Sequence, residues 1–186
     1  MIRRALSLIS ILTAFLLAIS SQHVLGQEPP REEYDIKADW LHIFCKYVEW
    51  PKPSPAGDQV YVVGVLGPNV FGKYLDDLAK KTANNKKIVV HHFPLVTDYK
   101  PCHVLFIAAD DMTEKRLAQA LEKTKDTPGI LLVSDTEGFA RKGVVFNLFK
   151  DGNVKVEMNP DAAKRAKLTL RSQWFNIPKI ITVVKD

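Results

Sequence analysis

The chain has 186 residues, of which 46% are hydrophobic and 25% are charged, and its formal net charge is +5 at pH 7. This length is enough for one globular domain with a full hydrophobic core. The charge is mild and both signs are well mixed, which excludes the concentrated basic surface of a nucleic-acid-binding protein.

The N-terminal segment has the three parts of a secretory signal peptide. Arg3 and Arg4 supply a positive end, residues 5–20 are apolar and uncharged, and small or aliphatic residues occupy 24–26. The apolar stretch is shorter than the ~20 residues that a membrane-spanning helix needs. We therefore expect export through the Sec pathway and cleavage after Gly26.

This interpretation divides the chain into three segments. Residues 1–26 are the predicted signal peptide, and residues 27–31, with two adjacent prolines, are a short flexible lead. Residues 32–186 form the predicted single domain, which we expect to work in the periplasm.

The first part of the domain alternates helical patterns with short apolar runs. Tyr34, Ala38 and Leu41 recur at the spacing of one helix face. The uninterrupted apolar run at 60–66 is typical of a strand buried on both faces of a sheet. These criteria predict helices over 32–49, 70–81 and 113–124, and strands over 60–66, 87–93, 103–108 and 129–133.

The C-terminal third has a different pattern. Strand-like runs at 144–149 and 154–158 flank an Asp-Gly turn, which predicts a β-hairpin. A short helix follows at 161–167, and the tail combines a helical pattern with a break at Pro178 and a strand-like end. The predicted fold is therefore α/β: a mostly parallel central sheet with helices on both faces, plus a C-terminal antiparallel hairpin.

Several short blocks, taken in order, resemble one protein family. They are Glu33-Tyr34, Lys37-Ala38, Phe44 to Pro51, Leu66-Gly67, Phe71-Gly72, Cys102 to Ile107, Ser134 to Phe139, Val145 to Leu148, Asp151-Gly152, Val156 to Asn159 and Asp161 to Ala166. Their order and spacing over nearly all of the mature chain resemble the YfiR (HmsC-like) family of exported bacterial proteins.

The resemblance implies a specific role. YfiR-like proteins are periplasmic repressors that bind the periplasmic portion of a membrane diguanylate cyclase and so lower cyclic-di-GMP synthesis and biofilm formation. They have an α/β fold, tend to form homodimers and respond to disulfide state. The resemblance therefore implies a non-catalytic protein that binds a partner of this kind, with neither a cofactor nor a nucleic acid.

The two cysteines, Cys45 and Cys102, depart from the family pattern. Cys102 matches a family cysteine, but the usual partner position is near Gly64, where this chain has no cysteine. A disulfide between Cys45 and Cys102 requires that the first helix pack beside the start of the third strand and bring the two residues together. Otherwise both are small buried hydrophobic residues. The sequence leaves these alternatives open.

Catalytic and metal-binding patterns are weak. His91 and His92 are adjacent on a predicted strand and point to opposite faces, so they are poor joint ligands even with His103 nearby. We interpret these as surface or strand-end histidines. Ser134 and Asp135 lack the Gly-x-Ser-x-Gly turn of a hydrolase and are interpreted as turn residues.

Two surfaces remain as candidate binding sites. The first is a crevice at the carboxyl ends of the parallel strands, where open α/β sheets bind ligands. It would be lined by Gly67, Asn69, Asp110 and Ser134, and it supports the alternative function of a periplasmic small-molecule receptor or carrier. The second is a partner-binding surface in the C-terminal third, with these candidates: Glu157, Asn159, Arg171 and Trp174.

Overall fold

A computed structural model describes residues 32–176 and 181–185, which belong to one compact unit. The predicted signal peptide, the lead and Pro178 lie outside the described residues. The helices are α1 (Glu33–Tyr47), α2 (Lys73–Ala79), α3 (Thr113–Thr124) and α4 (Pro160–Arg165). The strands are β1 (Val48–Glu49), β2 (Tyr61–Leu66), β3 (Thr82–Ala83), β4 (Lys86–Phe93), β5 (Val104–Ile107), β6 (Leu131–Ser134), β7 (Phe146–Asp151), β8 (Asn153–Met158), β9 (Thr169–Leu170) and β10 (Ile181–Val183).

Eight strands form one sheet in the order β10-β8-β7-β6-β5-β2-β4-β3. Each neighbouring pair along this order from β7 to β4 is parallel, and the β10–β8 pair is parallel too. The β7–β8 and β3–β4 pairs are antiparallel. Strands β1 and β9 pair separately as a two-stranded antiparallel ribbon. The predicted fold class, including the C-terminal hairpin, is confirmed.

Both faces of the sheet are buried, as the uninterrupted apolar strands predict. On β5, Val104 and Phe106 belong to one core cluster, whereas Leu105 and Ile107 belong to the other. Helix α1 packs into the first cluster, here called the α1-side core, through residues that include Leu41 and Phe44. Helix α3 packs into the second, the α3-side core, through residues that include Leu117 and Ala120. None of the described helices is both long and apolar enough to span a bilayer.

The largest difference from the sequence prediction is in the tail. Its helical pattern corresponds in the structure to strand β9 and a 3-10 turn at Ser172–Asn176, and its strand-like end to β10. Leu170 pairs with Val48, and the Arg171 N–H donates to the Tyr47 carbonyl at 2.9 Å. The tail therefore follows the end of α1, and this long-range pairing outweighs its weak local helical pattern.

Candidate functional site

The predicted crevice is closed by the side chain of Arg116, which no sequence pattern indicated. Gly67, Asp110 and Ser134 do lie at the carboxyl ends of β2, β5 and β6. The Arg116 guanidinium lies among them: its Nη1 donates to the Ala108 carbonyl at 2.9 Å, and both terminal nitrogens donate to the Asp110 carboxylate. A β-carbon placed on Gly67 would lie 2.7 Å from Cζ of Arg116.

The other crevice residues are also engaged within the protein. Ser134 is fully buried, and its hydroxyl donates to the Ile107 carbonyl at 3.3 Å. Asn69 is exposed and accepts the Gly72 N–H, which positions the start of α2. The hydrogen bond from Arg116 lowers the pKa of Asp110 to about 2. Asp110 and Ser134 are thus engaged within the protein and Arg116 packs against Gly67, whereas Asn69 stays exposed.

A buried charged cluster lies at the same edge of the sheet. Lys37 of α1 donates to Asp135 Oδ2 at 3.1 Å, and both side chains are 1% exposed. Lys37 also donates to Glu33 at 2.5 Å, and the Tyr34 hydroxyl donates to Asp135 at 2.9 Å. The other Asp135 oxygen accepts the Ala109 N–H at 2.9 Å. We call these residues the Lys37–Asp135 cluster.

This cluster explains three of the family blocks in physical terms. Glu33 and Tyr34 come from the first block, Lys37 from the second, and Asp135 from the block that begins at Ser134, so residues distant in sequence meet at one point. Burial, followed by the charge of Asp135, raises the pKa of the Tyr34 hydroxyl, which therefore stays protonated as a donor. The cluster ties α1 to the ends of β5 and β6.

The sequence contained one signal for this cluster. Lys37 lies three residues after Tyr34 and four before Leu41, so it falls on the apolar stripe of α1. A lysine at such a position needs a buried partner, since an unpaired buried charge is strongly unfavourable. Nothing local identifies that partner as Asp135, which has the sequence context of an ordinary turn residue.

His103 immediately precedes β5, so it is a strand-end histidine, but it is buried and not at the surface. Its Nδ1 accepts the Val62 N–H at 3.0 Å, so the ring proton is on Nε2, which lies 2.8 Å from the Ser54 hydroxyl oxygen. The Ser54 hydroxyl donates to the Gly57 carbonyl at 3.0 Å. Burial lowers the pKa of His103 to about 4.

This arrangement differs from a catalytic dyad in the direction of its hydrogen bonds. A histidine that activates a serine accepts the hydroxyl proton, whereas here His103 donates to Ser54. Ser134 and Asp135 are likewise engaged elsewhere, by a carbonyl and by Lys37. Within the described ranges, no three histidine, cysteine or carboxylate side chains come together as a metal site.

The two cysteines are free thiols and do not pair, so the disulfide that the sequence left open is not formed. Cys45 lies in the α1-side core and Cys102 in the α3-side core, so they are on different faces of the sheet. Burial raises the pKa of both thiols to about 12. Near Gly64 lies the position of the usual family partner of Cys102. A β-carbon on Gly64 would lie 3.3 Å from Cys102 Sγ but 2.6 Å from the Phe93 ring, which occupies that space.

Two of the four predicted partner-binding residues are in the interior. Trp174 is 4% exposed, and its ring centroid lies 5.0 Å from that of Phe146 and 6.1 Å from that of Phe44. Asn159 is fully buried, and its Oδ1 accepts the N–H groups of Asp161 and Ala162. Trp174 completes the core and Asn159 caps α4, so neither side chain is exposed here, and their role as partner contacts stays a prediction.

The other two candidates retain exposed surface. Glu157 accepts a hydrogen bond from Asn147 Nδ2 at 3.1 Å. Arg171 lies at the β1–β9 ribbon, where Nη1 donates to Asn84 at 3.2 Å and Nε lies 3.4 Å from a Glu49 oxygen.

Comparison with known families places these features in context. Residues 34–177 match the family model described as YfiR/HmsC-like. No curated protein matches the chain significantly.

Proposed function

Because the chain belongs to the YfiR/HmsC-like family, we propose that it is an exported regulatory protein that binds the periplasmic portion of a membrane signalling protein. In the finer form of this proposal, the partner is a diguanylate cyclase, and binding represses cyclic-di-GMP synthesis and biofilm formation. The family match over residues 34–177 carries the proposal, because it spans most of the domain.

The closed crevice supports a binding role over the alternative of a small-molecule receptor at that edge. Ligands of open α/β sheets enter the crevice beyond the carboxyl ends of the strands. In this chain Arg116 and the Lys37–Asp135 cluster occupy that region. A regulator that acts through its surface has no need of an open crevice there.

We propose Glu157 and Arg171 as contacts with the partner. Val156 belongs to the α1-side core, so the neighbouring Glu157 projects from the opposite face of β8. Arg171 offers a guanidinium beside the ribbon, a group that is common among interface hot spots. The partner would supply a cationic group to Glu157 and an anionic group to Arg171.

The experiment is a binding assay with the purified periplasmic domains of the membrane diguanylate cyclases encoded in the same genome. We expect one of them to bind with a Kd of about 1 μM or tighter, and we expect cellular cyclic-di-GMP to fall when the protein is co-expressed with that cyclase. Failure to bind every such domain, with unchanged cyclic-di-GMP, would refute the finer proposal.

Matched variants then test the contacts. Glu157→Gln and Arg171→Gln keep polar side chains but remove the charge, and each is expected to weaken the complex at least about tenfold if it contributes at a hot spot. Glu122→Gln on α3 is the control and should bind as tightly as the wild type. Equal affinity of all three variants would exclude both contacts.

Export and self-association are tested separately. Mass spectrometry of the protein from the periplasmic fraction should give an N-terminus at Gln27. Light scattering should give twice the mass of the mature chain if the proposed homodimer forms.

A further inference from the structure

A cavity of about 480 Å³ opens at the edge of the sheet opposite the filled crevice. Tyr61 and Lys86 begin β2 and β4, and His103 immediately precedes β5, so these lining residues mark the amino ends of three parallel strands. Strand β1, Arg171 immediately after β9 and residues of the loop at 52–58 complete the walls. Four stretches of the chain, 48–61, 84–86, 103 and 171, therefore converge on one concave surface.

Basic side chains predominate in this cavity. Lys52, Lys86 and Arg171 line it together with two carboxylates, Glu49 and Asp58. Only Arg171 and Glu49 form an ion pair with each other, at 3.4 Å. Lys52 and Lys86 form no ion pair with any residue in the described part of the chain. With His103 neutral, the lining has one positive charge in excess.

One of these donors is buried without a hydrogen bond. Nε of Arg171 has no hydrogen-bond partner among the described residues, although it is shielded from solvent. Its distance of 3.4 Å to Glu49 reflects charge attraction without hydrogen-bond geometry. A ligand in the cavity therefore cannot reach Nε itself, and it meets the exposed part of the Arg171 side chain, which is 37% exposed.

The rings of Trp50, Tyr61 and His103 form an aromatic wall of the cavity, held by hydrogen bonds. The ring centroids of Trp50 and Tyr61 lie 5.3 Å apart, and Trp50 Nε1 donates to the His103 carbonyl at 3.2 Å. The His103 ring stands perpendicular to the Trp50 ring and has both nitrogens engaged. This wall therefore offers apolar surface to a ligand, and its own polar atoms are already hydrogen-bonded within the protein.

We propose that this cavity binds a small organic monoanion, a carboxylate on a flat apolar body. The carboxylate accepts hydrogen bonds from Lys86 and from the exposed part of the Arg171 guanidinium, and the flat body packs against Trp50. The cavity shares Arg171 with the proposed partner surface, but this inference concerns a different class of ligand and is tested without the partner.

The test is a titration of the isotope-labelled mature chain by NMR with benzoate, benzamide and acetate. Benzoate should give saturable shifts centred on the amides of Lys86, Arg171 and Trp50. Benzamide, which lacks the charge, should bind at least tenfold more weakly. Acetate, which lacks the flat body, should also bind more weakly than benzoate.

Variants tie the binding to the cavity. Lys86→Gln should weaken the binding of benzoate at least tenfold. Lys125→Gln, in the exposed Lys125–Glu122 pair at the end of α3, should leave the affinity unchanged. Arg171→Gln, which removes the other proposed donor, replaces Lys86→Gln if the latter does not give a folded spectrum. Absence of saturable shifts with benzoate, equal affinity for benzamide, or full affinity in both cavity variants would overturn the proposal.

Discussion

Nζ of Lys37 lies 3.1 Å from Oδ2 of Asp135, although the two residues are 98 positions apart in the chain. Both side chains are almost completely buried, so the pair is removed from the water that would otherwise solvate each charge. Such a pair is stable only because further hydrogen bonds complete it, from Tyr34, from the Ala109 amide and to Glu33. It joins the first helix to the ends of two central strands.

Removal of one partner of this pair leaves the other charge buried and uncompensated, so the losses from the two single removals should not add. Lys37→Met leaves the Asp135 carboxylate buried without its cation, and we expect a loss of about 3–5 kcal/mol in the free energy of unfolding. In Lys37→Met/Asp135→Asn the uncompensated charge is gone, so the loss should be smaller than the sum of the two single losses. Urea denaturation of the four proteins measures this cycle.

The control for this cycle is Lys80→Met, in the exposed Lys80–Asp77 pair. Its unfolding midpoint should match that of the wild type, because solvent screens exposed pairs. Additive losses at Lys37 and Asp135 would show that the two side chains do not interact.

Stability should decrease on acidification because of His103. Burial lowers its pKa from 6.5 to about 4, so between these values the unfolded chain binds a proton that the folded chain does not. The free energy of unfolding therefore falls as the pH drops from about 6.5 to about 4, by at most about 1.4 kcal/mol per pH unit. Asp110, whose pKa is lowered to about 2, contributes only below its ordinary value of 3.8.

Urea midpoints between pH 4 and 7.5 measure this dependence. His103→Gln should be less stable at pH 7.5 and should have a shallower dependence between pH 4 and 6.5. An imidazole pKa near 6.5 in an NMR titration of the wild type would contradict the prediction.

Both cysteines should titrate as thiols. Denatured protein that has not been reduced should react with a thiol reagent at two sites, because Cys45 and Cys102 lie in different cores. Native protein should react slowly, since burial raises both pKa values to about 12 and the thiolate is the reactive form. Fewer than two thiols in the denatured protein would show that a disulfide forms.

A pair of glycine variants tests whether Arg116 fills the crevice. Gly67→Ala and Gly138→Ala both place a side chain at positive φ, 106° and 81°, which costs roughly 1–2 kcal/mol. Only at Gly67 does the new methyl group also meet the Arg116 guanidinium; at Gly138 nothing lies within 4 Å. Gly67→Ala should therefore be the more destabilising, as measured by thermal unfolding.

Arg116→Ala provides the rescue for this comparison. In the Gly67→Ala background it should recover the additional loss, because the obstructing group is gone. Equal destabilisation by the two glycine variants would mean that the crevice has room for a side chain at Gly67.

The elements with strong local patterns were predictable from the sequence. The predicted bounds of α3, 113–124, match the structure, and the apolar strands and the Asp-Gly hairpin appear where their patterns indicate. These features depend on neighbours within a few residues, where periodicity and turn chemistry act directly. The two-residue strands β1, β3 and β9 were missed, because so few residues carry no periodic signal.

The α/β class, the order of the main elements and the resemblance to the YfiR/HmsC-like family all follow from local patterns in the amino-acid sequence. Which side chains meet depends on how the chain folds in three dimensions. The tertiary structure places Lys37 on Asp135, Arg116 in the crevice, Trp174 in the core, and the two cysteines on different faces. The physical reason is that these contacts depend on the order of strands in the sheet and on the face that each residue occupies. Local sequence patterns carry no information about pairing between residues so far apart in the chain.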